Sequence, residues 1–170
     1  DGRHDHARSQ DYFSKDKQRN YRWRAEGNNV VVLSPGTHVG QNMKANPKHQ
    51  AYESSAERAF SVVDLTACYQ ADPKNTSEQK QVAKQDAQSV NCARYLRGFR
   101  LDRRNDLAVV QDEIELRKPE SVYWFMHTQA DLKIAADGRS VILTQDGQTL
   151  HATLSGTPEA RFVAMEARSM

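Results

Sequence analysis

The chain is short of several things, and each shortage excludes something. It has two cysteines, Cys68 and Cys92, in 170 residues. Neither belongs to a Cys-x-x-Cys pair, which argues against a zinc ribbon. No apolar run approaches the roughly 20 residues of a bilayer-spanning helix, so no helical membrane span is expected. Charge of one sign is also lacking: 24 basic and 22 acidic residues leave a net charge of +2. That balance is too even for the basic footprint of a nucleic-acid-binding domain. Helical periodicity is scarce, and no repeat or linker divides the chain.

What is present is the composition of a folded chain, 38% hydrophobic and 27% charged. The length suits a single domain, residues 1–170, with a real core. The chain opens Asp-Gly-Arg-His, without an initiator Met or the charged and apolar regions of a signal peptide. It is therefore expected to be a mature or excised segment of a longer chain.

Period-2 runs bounded by turn residues recur almost to the end. They are Tyr21 to Glu26, Asn29 to Leu33, Ala59 to Tyr69, Val90 to Leu101, Leu107 to Leu116 and Ser121 to Thr128. A closing meander follows: Leu132 to Ala135, Val141 to Thr144, Thr149 to Leu154 and Arg161 to Ala167. Asp146-Gly147 is the strongest hairpin signal, and Asp137-Gly138 does similar work before it. Residues 34–58 read as a loop, and residues 70–89 as a polar insert with no apolar stripe. About ten strands with few or no helices predict an all-β fold, an antiparallel multi-stranded β-sandwich. "SVYWFMHT" is apolar on both faces, which predicts a central strand covered on both sides, by a second sheet or by a neighbouring domain.

Cys68 and Cys92 lie in strand-like runs on either side of the polar insert. Pairing of those strands would bring the thiols together, so a disulfide and two buried free thiols are both open readings. In "YRWRAEGNN" strand alternation puts Arg22 and Arg24 on one face, with Asn28 and Asn29 just beyond. Paired guanidinium groups suit bidentate recognition of carboxylate or sulfate, and they equally suit a solvated face paired with Glu26. His38 sits in the longest Gly-rich loop, where functional groups concentrate. His127, on an apolar strand, reads as a hydrogen-bonded core histidine. Asp112 and Glu113 alternate faces and cannot act as a carboxylate pair.

Taken in order, "NYRWRAEGNNVVVLSPG", "VVDLTACY", "RGFRLDRRNDLAVVQDEIELRKPESVYWFMHT" and "DGRSVILTQDGQTLHATLSGTPEARF" resemble the C-terminal β-sandwich of the heparinase II/III-like polysaccharide lyases. The resemblance covers nearly the whole chain and is weakest in residues 1–11 and 70–89. It implies an enzyme with an α/α toroid domain first and this sandwich second. The substrate would be a uronic-acid polysaccharide of the glycosaminoglycan or alginate kind, cleaved by β-elimination in the periplasm or outside the cell. In such a reaction the uronate carboxylate is neutralised, a Tyr or His removes the C5 proton and an acid protonates the departing O4. The family's main catalytic groups lie in the toroid and in a His-x-His-x-Asp strand that this chain does not carry, so no catalytic residue is assigned here. His4-Asp5-His6 lacks the following Gly-Ser-Phe and reads as a loop.

The family pattern Glu-Gly-His-Asn-Thr stands here as Glu26-Gly27-Asn28-Asn29-Val30. A carboxamide is a poor zinc ligand compared with imidazole, so no metal or other cofactor is carried over. The substrate-binding candidates are Arg22, Arg24, Asn28, Asn29 and His38. The expected partners are an acidic polysaccharide and the toroid domain of the same protein. The alternatives are a non-catalytic carbohydrate-binding or scaffold module and a segment whose exposed seam self-associates.

Overall fold

The computed structural model describes residues 25–35, 41–42, 44–70 and 91–167. Among them are nine strands: β1 Val31–Leu33, β2 Lys48–Ser54, β3 Arg58–Asp64, β4 Cys92–Asp102, β5 Leu107–Leu116, β6 Val122–Trp124, β7 Asp131–Ile134, β8 Ser140–Gln145 and β9 Gln148–Thr153. They form a two-stranded sheet β1-β6, a four-stranded sheet β2-β3-β4-β5 and a three-stranded sheet β7-β8-β9. Every pairing is antiparallel. The only helical elements among the described residues are single 3-10 turns at Ala25–Gly27 and Thr66–Tyr69. The fold is all-β and antiparallel, as the alternating pattern predicts.

The hairpins form where the turn chemistry allows them. Asp146 and Gly147 have φ of 51° and 74°, the double positive φ of the tight turn that matches strand twist. Between β7 and β8, Asp137 Oδ1 accepts the Arg139 N–H at 2.9 Å and Gly138 takes φ 68°. A Cβ at Gly138 would lie 2.8 Å from Arg161 Cδ, so both conformation and space require glycine there. Between β4 and β5, the Asp102 carboxylate accepts the N–H groups of Arg104 and Asn105 at 3.1 and 3.3 Å.

The β1-β6 sheet and the four-stranded sheet meet at one core. Val31 and Leu33 from β1 pack with Cys92 and Tyr95 from β4 and Tyr69 from the second 3-10 turn. Leu65, Cys68, Ile114 and Leu116 close around them. Fully burying an apolar side chain of this size contributes roughly 1.5–3 kcal/mol, so this cluster is the main source of stability for the pair of sheets. Both cysteines are free thiols that belong to it. Burial pushes both thiol pKa values up, which suppresses the reactive thiolate.

Several expectations are corrected. Of the run Tyr21 to Glu26, residues 21–24 lie outside the described residues; its end is no strand, because Ala25–Gly27 is a 3-10 turn with Ala25 and Glu26 both buried, which strict alternation forbids. Residues 34–58 are not all loop, because Lys48–Ser54 forms β2. Its polar sequence, KHQAYES, hides it: as an edge strand exposed at every residue, it needs no apolar face. Ala59 to Tyr69 is not one strand. β3 ends at Asp64, whose carboxylate accepts the Thr66 N–H at 2.9 Å and starts the turn that carries Cys68. The segment from Arg161 to Ala167 forms no strand. Above all, β6 is not central among the described residues, where it pairs with β1 alone. Val122, Tyr123, Trp124 and Met126 are 46, 47, 40 and 38% exposed, so neither face of this segment is closed over.

Candidate functional site

The Glu26-Gly27-Asn28-Asn29 stretch, picked out by sequence, forms a tight corner at the head of the β1-β6 ladder. Asn28 N–H donates to the Ala25 carbonyl at 3.0 Å, and Val30 N–H to the Asn28 carbonyl at 2.9 Å. These two bonds turn the chain out of the 3-10 turn and into β1. Asn29 Oδ1 then accepts the His127 N–H at 2.8 Å, and His127 Nε2 meets the Glu26 carbonyl at 2.8 Å. A carbonyl only accepts, so Nε2 carries the proton in this contact. The corner is thereby tied to the segment after β6; His127 is hydrogen-bonded as expected, but it lies beyond the strand, half-buried and outside the core cluster.

The chain running from β6 into that corner carries an aromatic ladder. Tyr123, Phe125 and His127 are alternate residues and project on one face. The Tyr123 and Phe125 rings are 6.2 Å apart and 20° from parallel; Phe125 and His127 are 6.4 Å apart and 7° from parallel. Tyr123 is open to solvent, and Asn28 and Asn29 are exposed at the other end of the ladder. Aromatic faces carry negative charge density that attracts the partly positive C–H groups of a sugar ring, while exposed carboxamides bond its hydroxyls and carboxylate. The arrangement is chemically suited to an extended saccharide. Of the sequence-selected residues, the structure brings Asn29 into contact with this ladder, with Asn28 next to it in the chain. Arg22, Arg24 and His38 lie outside the described residues, as do His4-Asp5-His6 and all but Gln70 of the polar insert.

A second polar cluster lies beside the core and escaped the sequence reading. Arg97 holds Asp112 through two bonds, Nε to Oδ1 at 2.6 Å and Nη2 to Oδ2 at 2.8 Å. Tyr95 OH donates to the same carboxylate at 2.8 Å, and the Arg97 guanidinium lies 5.8 Å from the Tyr95 ring centre. Tyr69 packs edge-on to Tyr95 and donates its hydroxyl to the Val31 carbonyl at 2.6 Å, while Gln41 Nε2 donates to the Tyr69 hydroxyl at 3.1 Å. Burial raises the Tyr69 phenol from 10 to about 12. Burial and then the Asp112 charge push the Tyr95 phenol up as well. A base for proton abstraction must give up its proton near neutral pH. These phenols keep theirs, so the cluster acts as a brace in which every charge is paired. The signal for it was the Tyr95-x-Arg97 and Asp112-x-Ile114 spacing, which becomes a contact only once the β4-β5 register sets Arg97 opposite Asp112.

Glu113, across the strand from Asp112, bonds Gln111 at 3.0 Å and pairs with Arg94 at 3.7 Å on the other face. The two carboxylates therefore do separate work, as alternation requires. Among the described residues, no group of three or more His, Cys, Asp or Glu side chains converges on a metal position, and no helix is long and apolar enough to cross a membrane.

The fold and this corner define an antiparallel all-β protein with an aromatic ladder whose Tyr123 end is exposed. Comparison with protein-family models, curated proteins and solved structures found no match to the chain.

Proposed function

We propose that the chain binds an acidic, uronate-containing polysaccharide as the C-terminal β-domain of a heparinase II/III-like lyase, forming one wall of the substrate cleft. The supporting observation is the aromatic ladder Tyr123–Phe125–His127 ending at Asn28 and Asn29, within the stretch that resembles that family. In this reading the elimination is carried out by groups of an α/α toroid, and the protein works in the periplasm or outside the cell. The β-domain stacks sugar rings and bonds their polar edges.

Two measurements test this together. The first is affinity electrophoresis of the chain in gels containing heparan sulfate, chondroitin, hyaluronan or alginate. Retardation by at least one polymer is expected, and it should be lost in Tyr123→Ala. The second is the ultraviolet absorbance of newly formed unsaturated uronate, for this chain and for a longer chain that includes the toroid. Product from the longer chain alone is the expected result.

A second reading is a non-catalytic carbohydrate-binding module, and Asn28 in place of the family histidine favours it. It predicts retardation by polysaccharide with unsaturated product from neither chain.

A further inference from the structure

The outer edge of β6 differs from the other solvent-exposed sheet edges; the β1 edge is also uncharged, but it is buried and its Val31 carbonyl is bonded by Tyr69 and Gln41. In the β1-β6 ladder the register pairs Val32 with Tyr123. Ser34 N–H donates to the Ser121 carbonyl at 2.8 Å, and Phe125 N–H to the Val30 carbonyl at 3.0 Å. Antiparallel ladders alternate hydrogen-bonded and non-bonded pairs. Residues 121, 123 and 125 therefore turn their backbone groups toward β1, and Val122, Trp124 and Met126 turn theirs away from it. The Met126 side chain follows Val122 and Trp124 on one face, with Tyr123 and Phe125 on the other. Natural edges are normally blunted by charge. β2 carries Lys48 and Glu53, β5 carries Glu113 and Glu115, β7 carries Asp131 and Lys133, and β9 alternates apolar with polar residues. From Val122 to Met126 there is neither a charge nor a proline.

We propose that this edge pairs with the same edge of a second copy of the chain, antiparallel, across a twofold axis at Trp124. The edge is self-complementary in two independent ways. In backbone terms, an axis at Trp124 sets Trp124 opposite its own copy and Val122 opposite the partner's Met126. The three outward N–H and three outward C=O groups of each copy then satisfy one another. In side-chain terms, every cross-strand pair is apolar on both faces, which is the environment that a strand apolar on both sides requires. The result is a continuous β1-β6-β6-β1 sheet with an isologous interface. It explains why "SVYWFMHT" has the sequence of a central strand while, among the described residues, it stands at a sheet edge. The proposal is independent of the polysaccharide reading, since it concerns the edge of the strand and not its aromatic face.

The test is sedimentation equilibrium of the 170-residue chain over a wide concentration range, with circular dichroism as the control for folding. The expected result is a reversible monomer–dimer equilibrium. Trp124→Lys places two like charges opposite each other at the axis and should raise the dimer dissociation constant about tenfold or more. Val122→Glu and Met126→Lys should each weaken the dimer singly. The double variant should recover it, because the introduced carboxylate and ammonium face each other only in this register. A chain that stays monomeric throughout overturns the proposal, as it would if the edge serves a strand from another protein or domain. A dimer indifferent to Trp124→Lys, or a double variant without recovery, overturns it as well.

Discussion

Strands β1 and β6 are paired with each other residue for residue, and both are built of apolar side chains. Yet Val31, Val32 and Leu33 of β1 are all buried, at 1, 2 and 4% exposure, whereas β6 is open on both faces. The difference comes from what lies beyond the ladder. On β1, Val31 and Leu33 enter the core formed with Tyr69, Cys92 and Tyr95, and the Val31 carbonyl is claimed by Tyr69 and Gln41. On β6, the same-face neighbours Val122 and Trp124 extend past that core. Two strands of equal hydrophobicity thus play opposite roles, one as the centre of the fold and one as an interface. Hydrophobic pattern states that a strand is to be covered; only the assembled neighbours state by what.

The contrast is most easily broken from the closed side. Arg97→Met leaves Asp112 charged and without its bidentate partner beside the core on which β1 rests. The expected loss is about 3 kcal/mol in urea-induced unfolding, because removing one member of a largely buried pair leaves the other without its charged hydrogen bonds. Leu33→Ala opens a cavity in the core itself and should cost about 2–5 kcal/mol by the same measurement. A loss well below 1 kcal/mol would mean that β1 is not the closed strand described here.

A third expectation concerns pH. Tyr69 is raised from 10 to about 12 when folded. The unfolded chain therefore ionises this phenol first, and its contribution to stability is complete below pH 10 and is lost as the pH rises from 10 toward 12. Urea unfolding at stepped alkaline pH should show stability falling across that window, with a shallower fall in Tyr69→Phe. Tyr95 shifts in the same direction, so some slope should remain in the variant.

The smallest effect is expected on the open side. Trp124→Ala, measured at a concentration low enough to keep the chain monomeric, should change stability by about 1 kcal/mol or less despite removing the larger side chain. Against the Leu33→Ala loss, this pair of numbers is the sharpest form of the comparison. Equal losses would mean that β6 is closed over in solution.

Much of the architecture was legible in the sequence. Leu107 to Leu116 is a strand at the bounds its alternation predicts, and Asp146-Gly147 makes the expected hairpin, because both signals are local. β2 was not legible, since an exposed edge strand needs no apolar face and its pairing with β3 is a non-local property. At the candidate site, Asn28 and Asn29 were picked out by their position in a familiar stretch. The closure of Asn29 and Glu26 onto His127, about a hundred residues away, was not readable from spacing. The Arg97–Asp112–Tyr95 brace was missed for the same reason.

By itself, the sequence determined the all-β class, most strand positions and the tight turns, because these follow from side-chain alternation and from the φ values that particular residues tolerate. It also determined that Asp112 and Glu113 work on opposite faces. Only the tertiary structure decided which apolar strand is enclosed, which stands at a sheet edge among the described residues, and which distant groups meet at the corner beside the aromatic ladder. Those outcomes depend on strand register and sheet stacking, which bring together residues that are far apart along the chain.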